Sequence, residues 1–551
     1  MRNVCVLLGA AAALNAAVAV PVPRPVLLDR LQNGPEVIGI VHWGLNTYTD
    51  REWGYGDEDP AMLNPVKFDA DQIVGACAAG GLEGLVFVAK HHDGFCLWPT
   101  KTTGHNISKA PFRGGKGDYV REMSDACRRA GVKFGVYCSP WDRNSADYGT
   151  PKYVETYHAQ IKELLDGRYG EVFEMWFDGA NGGDGYYGGA RESRKIPDGY
   201  YDFDTVFGFV RRMQPKVCIF TELRDDADFR WPCNEKGILD PDSRATIRPF
   251  GDGKDYMSYG NAGDIGGTVF HPCEADFPLR PGWFCHESQN GDVKSGEYLM
   301  KLYLSNVGNG GTMNIGIAPS KEGLLHAGDV AALRRFGEIR KAFFATPAAE
   351  TFNVAVMTED LAKGERVVKW ALKAGDGTVA TGKSVGRKRI RTFAAPVRAA
   401  DAKVEAYDAE GKPVAVVLKT YSVDAALLKA VLAAVDPADA VDQHGAGAVV
   451  SRDAKAIVYR FEDVKTFDRL RFVPNAEKIG GVPVAFALAC SDDGKAWRPV
   501  KGVYRLDNMA ANPVAQILKL DETVTCRYIR VTAERTLRGE PVELAGVAIA
   551  R

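Results

Sequence analysis

The sequence predicts an α/β protein: a (β/α)8-like TIM barrel followed by C-terminal β-sandwich domains. Three observations carry this. From residue 37 to about residue 345, apolar runs alternate with amphipathic stretches, as buried parallel strands alternate with the helices that cover them. No GxGxxG opens the first unit, which favours a barrel over a doubly wound sheet. Beyond residue 350 the pattern changes to short alternating segments between DG, EG, GK and DDG turns, as in sandwiches.

The strand candidates are VIGIV (37–41), GLVFVA (84–89), KFGVYC (133–138), VFEMWF (172–177), VCIFT (217–221), GWFC (282–285) and TMNIGIA (312–318). Between them lie helical stretches. DADQIVGACAAGG opens on a capping aspartate, Asp69, and ends at Gly80-Gly81. DYVREMSDACRRAG places Val120, Met123, Ala126, Cys127 and Ala130 on one face before Gly131. YVETYHAQIKELLDG does the same with Tyr157, Ile161, Leu164 and Leu165. This divides the chain into a catalytic domain over 26–345 and β-sandwich domains over 350–425 and 445–551. The Ala- and Asp-rich stretch 424–447 reads as a helical insertion or linker between the sandwiches.

The first nineteen residues hold one Arg, a small apolar run and Ala17-Val18-Ala19 before Pro21, Pro23 and Pro25, the three-part form of an export signal. The expected location is therefore periplasmic or secreted. No later segment is apolar for long enough to span a bilayer. A net charge of −2 provides no basic field for nucleic acid. Ten Cys remain after the signal, with no CxxC spacing, so zinc sites are not expected and no disulfide is assigned.

Barrel sites gather where strands end at their carboxyl side. There the sequence places His42, Asn46, Glu52 and Trp53; His91, His92 and Asp93; Tyr137, Ser139 and Trp141; Asp178; Trp231 and Glu235; and Trp283 and His286. Taken singly, a strand-end His is a core residue, Asp178 caps a turn and Glu235 is a solvated loop residue. Taken together, they form a rim of imidazoles, indoles and two isolated carboxylates. His91 and His92 are adjacent and would point to opposite faces of a strand, which argues against a metal and for sugar binding. Two carboxylates flanking a glycosidic bond are the minimum equipment for its hydrolysis. Asp178 on a rigid strand end suits the nucleophile, and Glu235 on a loop suits the acid/base.

HWGLNTYTDREWGYGDE, KHHDGFCLWPT, GVYCSPWDRN, EMWFDGANGGDGYYGGARESRK and SNVGNGGTMNIGIAPSKEGLL resemble the α-L-fucosidases of glycoside hydrolase family 29, with matches spread over residues 37–345. The resemblance implies a retaining exo-enzyme that releases terminal α-L-fucose from oligosaccharides or glycoproteins without metal or organic cofactor. It makes Asp178 in WFDG the nucleophile. His42, Glu52, Trp53, His91, His92, Tyr137, Trp231 and Trp283 fall on substrate-binding positions. RWPCNEKG and EADFPLRPGWFCH resemble the subgroup acting on α-1,3- and α-1,4-linked fucose, in which Glu235 is the acid/base and Glu274 its competitor. HWG stands where HFG is usual, and CHES where an aromatic commonly precedes the His. Residues 486–551 resemble discoidin-like carbohydrate-binding modules, with a plain structural sandwich as the alternative. A broad or α-1,2 specificity and a non-catalytic fucose-binding protein are the competing readings.

Overall fold

The computed structural model describes residues 20–221, 224–249, 259–437 and 447–550; the leader expected over 1–19 lies outside them. Seven strands form one parallel sheet: β1 (Val37–Val41), β2 (Gly84–Lys90), β3 (Lys133–Cys138), β4 (Glu174–Trp176), β5 (Cys218–Phe220), β6 (Glu274–Pro278) and β7 (Thr312–Ile317). Their order is β6-β7-β1-β2-β3-β4-β5. The two edges are joined by a short piece of chain. Phe229 bridges Phe220 and Arg230 bridges Cys273, both in parallel sense. Arg230 N–H donates to Pro272 O at 3.0 Å, and Glu274 N–H donates to Arg230 O at 2.9 Å. Residues 229–230 thus act as an eighth stave that bonds to the facing edges of both β5 and β6.

Strand alternation sorts side chains into two cores. Val37, Leu85, Phe87, Val136, Met175 and Ile219 pack outward against the helices. Ile38, Ile40, Val86, Val88, Tyr137, Trp176 and Phe220 fill the lumen. The helix Pro25–Asn33 adds Leu27 and Leu31 to that inner core. Its Arg30 reaches Glu174 at 3.6 Å and lies over Phe173 and Phe229, so the helix packs at the end of the barrel where the strands begin. The predicted helices form over Ala70–Ala79, Tyr119–Ala130 and Pro151–Leu165. The Asp69 and Asp118 carboxylates cap the first two, and Gly131 ends the second at φ 69°.

One strand prediction fails. GWFC (282–285) is a loop, and the sheet position belongs to β6 instead. Its backbone donors are diverted: Trp283 N–H and Phe284 N–H donate to the Glu52 carboxylate, at 2.8 and 3.3 Å, instead of to a neighbouring strand.

After the helix Ala327–Phe343, two three-stranded antiparallel sheets follow. One holds Thr351–Glu359, Arg389–Arg398 and Val416–Tyr421; the other holds Lys369–Ala374, Gly377–Gly382 and Lys403–Tyr407. They share a core centred on the fully buried Trp370. Within the stretch read as an insertion, a helix forms over Ala425–Ala433. The last region is a six-stranded antiparallel sheet around its own core. AIVYRF and RLRFVP, read as separate segments, are one strand, Ala456–Pro474, running through two register shifts against Gln516–Thr536.

Candidate active site

Asp178 follows β4 and shares the parity of Glu174 and Trp176, so alternation carries it to the lumen side. Its two oxygens have different partners. Oδ1 accepts from Ala180 N–H at 2.7 Å, which is the capping contact a strand-end aspartate makes. Oδ2 accepts from the Tyr137 hydroxyl at 2.8 Å and lies 3.9 Å from His92 Nε2. The side chain keeps 26% of its surface exposed, so the carboxylate is held by donors yet reachable.

The tandem histidines lie beyond the end of β2, so strand alternation does not separate them as the sequence suggested. Their ring centroids are 4.1 Å apart and both face the site. Hydrogen-bond partners assign their tautomers. Ser139 donates its only proton to Trp141 O at 2.9 Å, so its contact with His92 Nδ1 at 2.7 Å must be received from Nδ1–H. That leaves His92 Nε2 as an acceptor beside Asp178. Asn46 Nδ2 lies 3.3 Å from His91 Nδ1, which makes Nδ1 the acceptor and Nε2–H the donor. Burial pushes His92 and His42 down to about 4, and His91 well below its ordinary value, so all three are neutral near pH 7. Neighbouring imidazoles therefore offer one donor and one acceptor, a pair suited to adjacent hydroxyls. His42 follows β1, its ring 5.0 Å from Trp283 and 5.7 Å from His91. Trp53 stands edge-on to His92 at 5.3 Å.

Glu235 lies in the loop after the eighth stave and is half-buried. Its Oε2 accepts from Trp283 Nε1 at 2.7 Å and from Asn508 Nδ2 at 2.9 Å. Burial raises its pKa to about 8; these hydrogen bonds oppose the rise and the negative charges of Asp178 and Glu52 add to it. Trp231, in the same loop, donates to Asp276 Oδ1 at 3.0 Å, so its ring borders the site from the β6 side.

Glu52 is placed in the site as a brace. Besides the backbone donors of Trp283 and Phe284, its Oε1 contacts His286 Nε2 at 2.7 Å. His286 Nδ1 in turn meets Asp50 Oδ1 at 2.8 Å. Burial alone lowers the His286 pKa, but its two carboxylate partners raise it to about 9, so the ring is an imidazolium between two carboxylates. Glu274, the competing acid, is fully buried at the start of β6, where Trp176 Nε1 and Asn314 Nδ2 donate to it at 3.1 and 3.0 Å. It adjoins the equally buried Glu174 and has no surface from which to reach a substrate.

Asn508 and Arg143 were not singled out from sequence. Arg143 donates to Gly54 O at 2.6 Å and Asp184 O at 2.7 Å, tying the Trp53 loop to the loop after β4. A cleft of about 740 Å³ opens beside the site, between the barrel rim and the last sheet. Glu52, Trp53, Arg143, His286, Arg505 and Asn508 are among the residues that line it. Among the described residues no group of three or more His, Cys, Asp or Glu side chains could hold a metal ion.

A parallel barrel with one donor-held carboxylate and one carboxyl kept protonated on its rim has the layout of a barrel glycoside hydrolase. The comparisons specify which. The Alpha-L-fucosidase family profile matches residues 31–342. A solved glycoside hydrolase 29 family member from an unknown rumen bacterium is 31% identical, covers 96% of this chain and 99% of its own, and superposes with a TM-score of 0.69. A solved structure from Bacteroides ovatus ATCC 8483 is 29% identical, with coverages of 96% and 95% and a TM-score of 0.64. Alpha-L-fucosidase 1 of Arabidopsis thaliana is 36% identical over 314 residues, 56% of this chain and 58% of the relative. A relative from Oryza sativa subsp. japonica is 37% identical over 363 residues, 64% of this chain and 66% of the relative. The match thus spans about three-fifths of these curated relatives. The chain belongs to the alpha-L-fucosidase family, glycoside hydrolase family 29.

Proposed function

We propose that this protein is a retaining exo-α-L-fucosidase that removes terminal α-1,3- or α-1,4-linked L-fucose from oligosaccharides or glycoconjugates. The observation that carries the reading is the contrast between two carboxyl groups. Asp178 accepts from the Tyr137 hydroxyl and the Ala180 N–H, so each of its oxygens is held in place by a donor. Glu235 is pushed up to about 8 by burial and holds a proton at neutral pH. The pair therefore begins in the state that double displacement needs.

In the first step an Asp178 oxygen bonds to the anomeric carbon as the glycosidic C–O bond breaks. The Glu235 proton passes to the departing oxygen. In the second step the Glu235 carboxylate takes a proton from water, whose oxygen displaces Asp178 and frees fucose. The buried neutral histidines, with Trp53, Trp231 and Trp283, form the sugar-facing wall. The linkage preference rests on the RWPCNEKG loop that carries Glu235. Export rests on the leader composition over 1–19. A carbohydrate-binding sandwich over 445–551 rests on the six-stranded sheet there and its discoidin-like sequence.

Comparing 2′-fucosyllactose, 3-fucosyllactose and Lewis a trisaccharide tests specificity: the last two should be cleaved and the first spared. Equal cleavage of all three would mean a broad-specificity enzyme. Fucose binding by calorimetry with no turnover would make the protein a lectin.

A further inference from the structure

Asn508 stands 273 positions after Glu235 in the chain, in a loop of the last sheet domain, yet it touches the proposed acid/base directly. We propose that Asn508 is a positioning residue for the protonation step, so that the active site is completed by the C-terminal domain. This rests on the reading of Glu235 as the acid.

The geometry separates the two carboxyl oxygens. Trp283 Nε1–H and Asn508 Nδ2–H are both donors and both point at Oε2, at 2.7 and 2.9 Å. An oxygen that accepts two N–H groups is the carbonyl-like one, so the acid proton resides on Oε1. Trp283 alone fixes one direction; the second donor, from a different domain, fixes the rotation of the carboxyl plane.

The loop is built to hold that donor. Asn508 has φ 58°, a left-handed conformation that Asn tolerates better than most residues. Asp507 and Gln516 exchange hydrogen bonds across the loop, at 3.1 and 2.6 Å, and Met509 is buried in the domain core. Two contacts tie the loop to the barrel: Asn512 Nδ2 donates to Pro281 O at 2.9 Å, and Arg505 pairs with Asp184. Asn508 also lines the cleft between the domains, together with Glu52 and Trp53 of the barrel rim.

The test is a leaving-group split with a pH profile, on the full chain. Asn508→Gly keeps the left-handed backbone and removes the side chain with its donor. It should cut kcat/KM on 3-fucosyllactose roughly tenfold while changing a dinitrophenyl fucoside, which needs no protonation, by less than about threefold. The Asn508 donor favours the Glu235 carboxylate while the carboxyl groups of Asp178, Glu52 and Asp276 disfavour it, so losing that donor moves the alkaline limb to higher pH. Asn508→Asp, of the same shape, adds a further carboxylate and should move the limb at least as far; it also serves if the glycine variant folds poorly. Equal loss on both substrates, or no loss with an unmoved limb, overturns the proposal. Glu235→Ala run in parallel keeps the two ideas apart. If it hydrolyses 3-fucosyllactose at the parent rate, the acid assignment fails, and the role of Asn508 fails with it.

Discussion

At the residue scale, the chemistry turns on how unlike the surroundings of Asp178 and Glu235 are. Tyr137 is the side-chain hydroxyl that holds Asp178 Oδ2. Tyr137→Phe removes that donor with little change of shape and should lower kcat about tenfold, measured on an aryl fucoside. An unchanged kcat would mean that the tyrosine only fills the lumen. Glu235 must be protonated to act as the acid, and burial raises its pKa to about 8. The catalytic form is therefore present below that value, and kcat/KM on a natural oligosaccharide should fall as pH rises through about 8. The lumen-side position of Asp178 was legible in the sequence because parity along the strand assigns a face to the carboxylate that closes it. The histidine tautomers were not. They depend on Ser139 and Asn46, whose partners are set only by the folded loops.

At the element scale, the loop 282–285 shows how a site can take over what would otherwise be a strand. Its apolar sequence reads as sheet, but the Glu52 carboxylate captures its backbone donors and aims Trp283 at Glu235. Glu52 is in turn braced by the His286 imidazolium. Burial opposes protonation of His286, yet Asp50 and Glu52 raise its pKa to about 9, above its unfolded value near about 6.5. The stabilisation is therefore complete below about pH 6.5 and is lost as pH rises through about 9. His286→Gln should cost about 2 kcal/mol at neutral pH, with the gap in Tm closing above about pH 9. A deficit that ignores pH would contradict the brace. The eighth stave, Phe229–Arg230, was equally invisible in the sequence, since two bridging residues are too few to show a period.

At the scale of the whole molecule, the long alternating region predicted the barrel because each strand is buried on both faces and each helix must cover one. The change of pattern near residue 350 marked where antiparallel sheets begin. What periodicity could not supply is how the domains meet. Asn508 sits in LDNMAANP, a turn-like stretch with no mark of function, and its partner Glu235 lies hundreds of residues away. The first pair of sheets lends Val354, Val356 and Ile390 to the barrel's outer core, and the last sheet reaches over the rim to Glu235. A retaining reaction requires Asp178 to form a covalent fucosyl-enzyme. The direct measurement is to trap it with 2-deoxy-2-fluoro-fucosyl fluoride and map the labelled peptide by mass spectrometry. The label should sit on Asp178, within EVFEMWFDGANG. A label on another residue, or turnover that releases the inverted anomer without any labelled enzyme, would rule out Asp178 as the nucleophile.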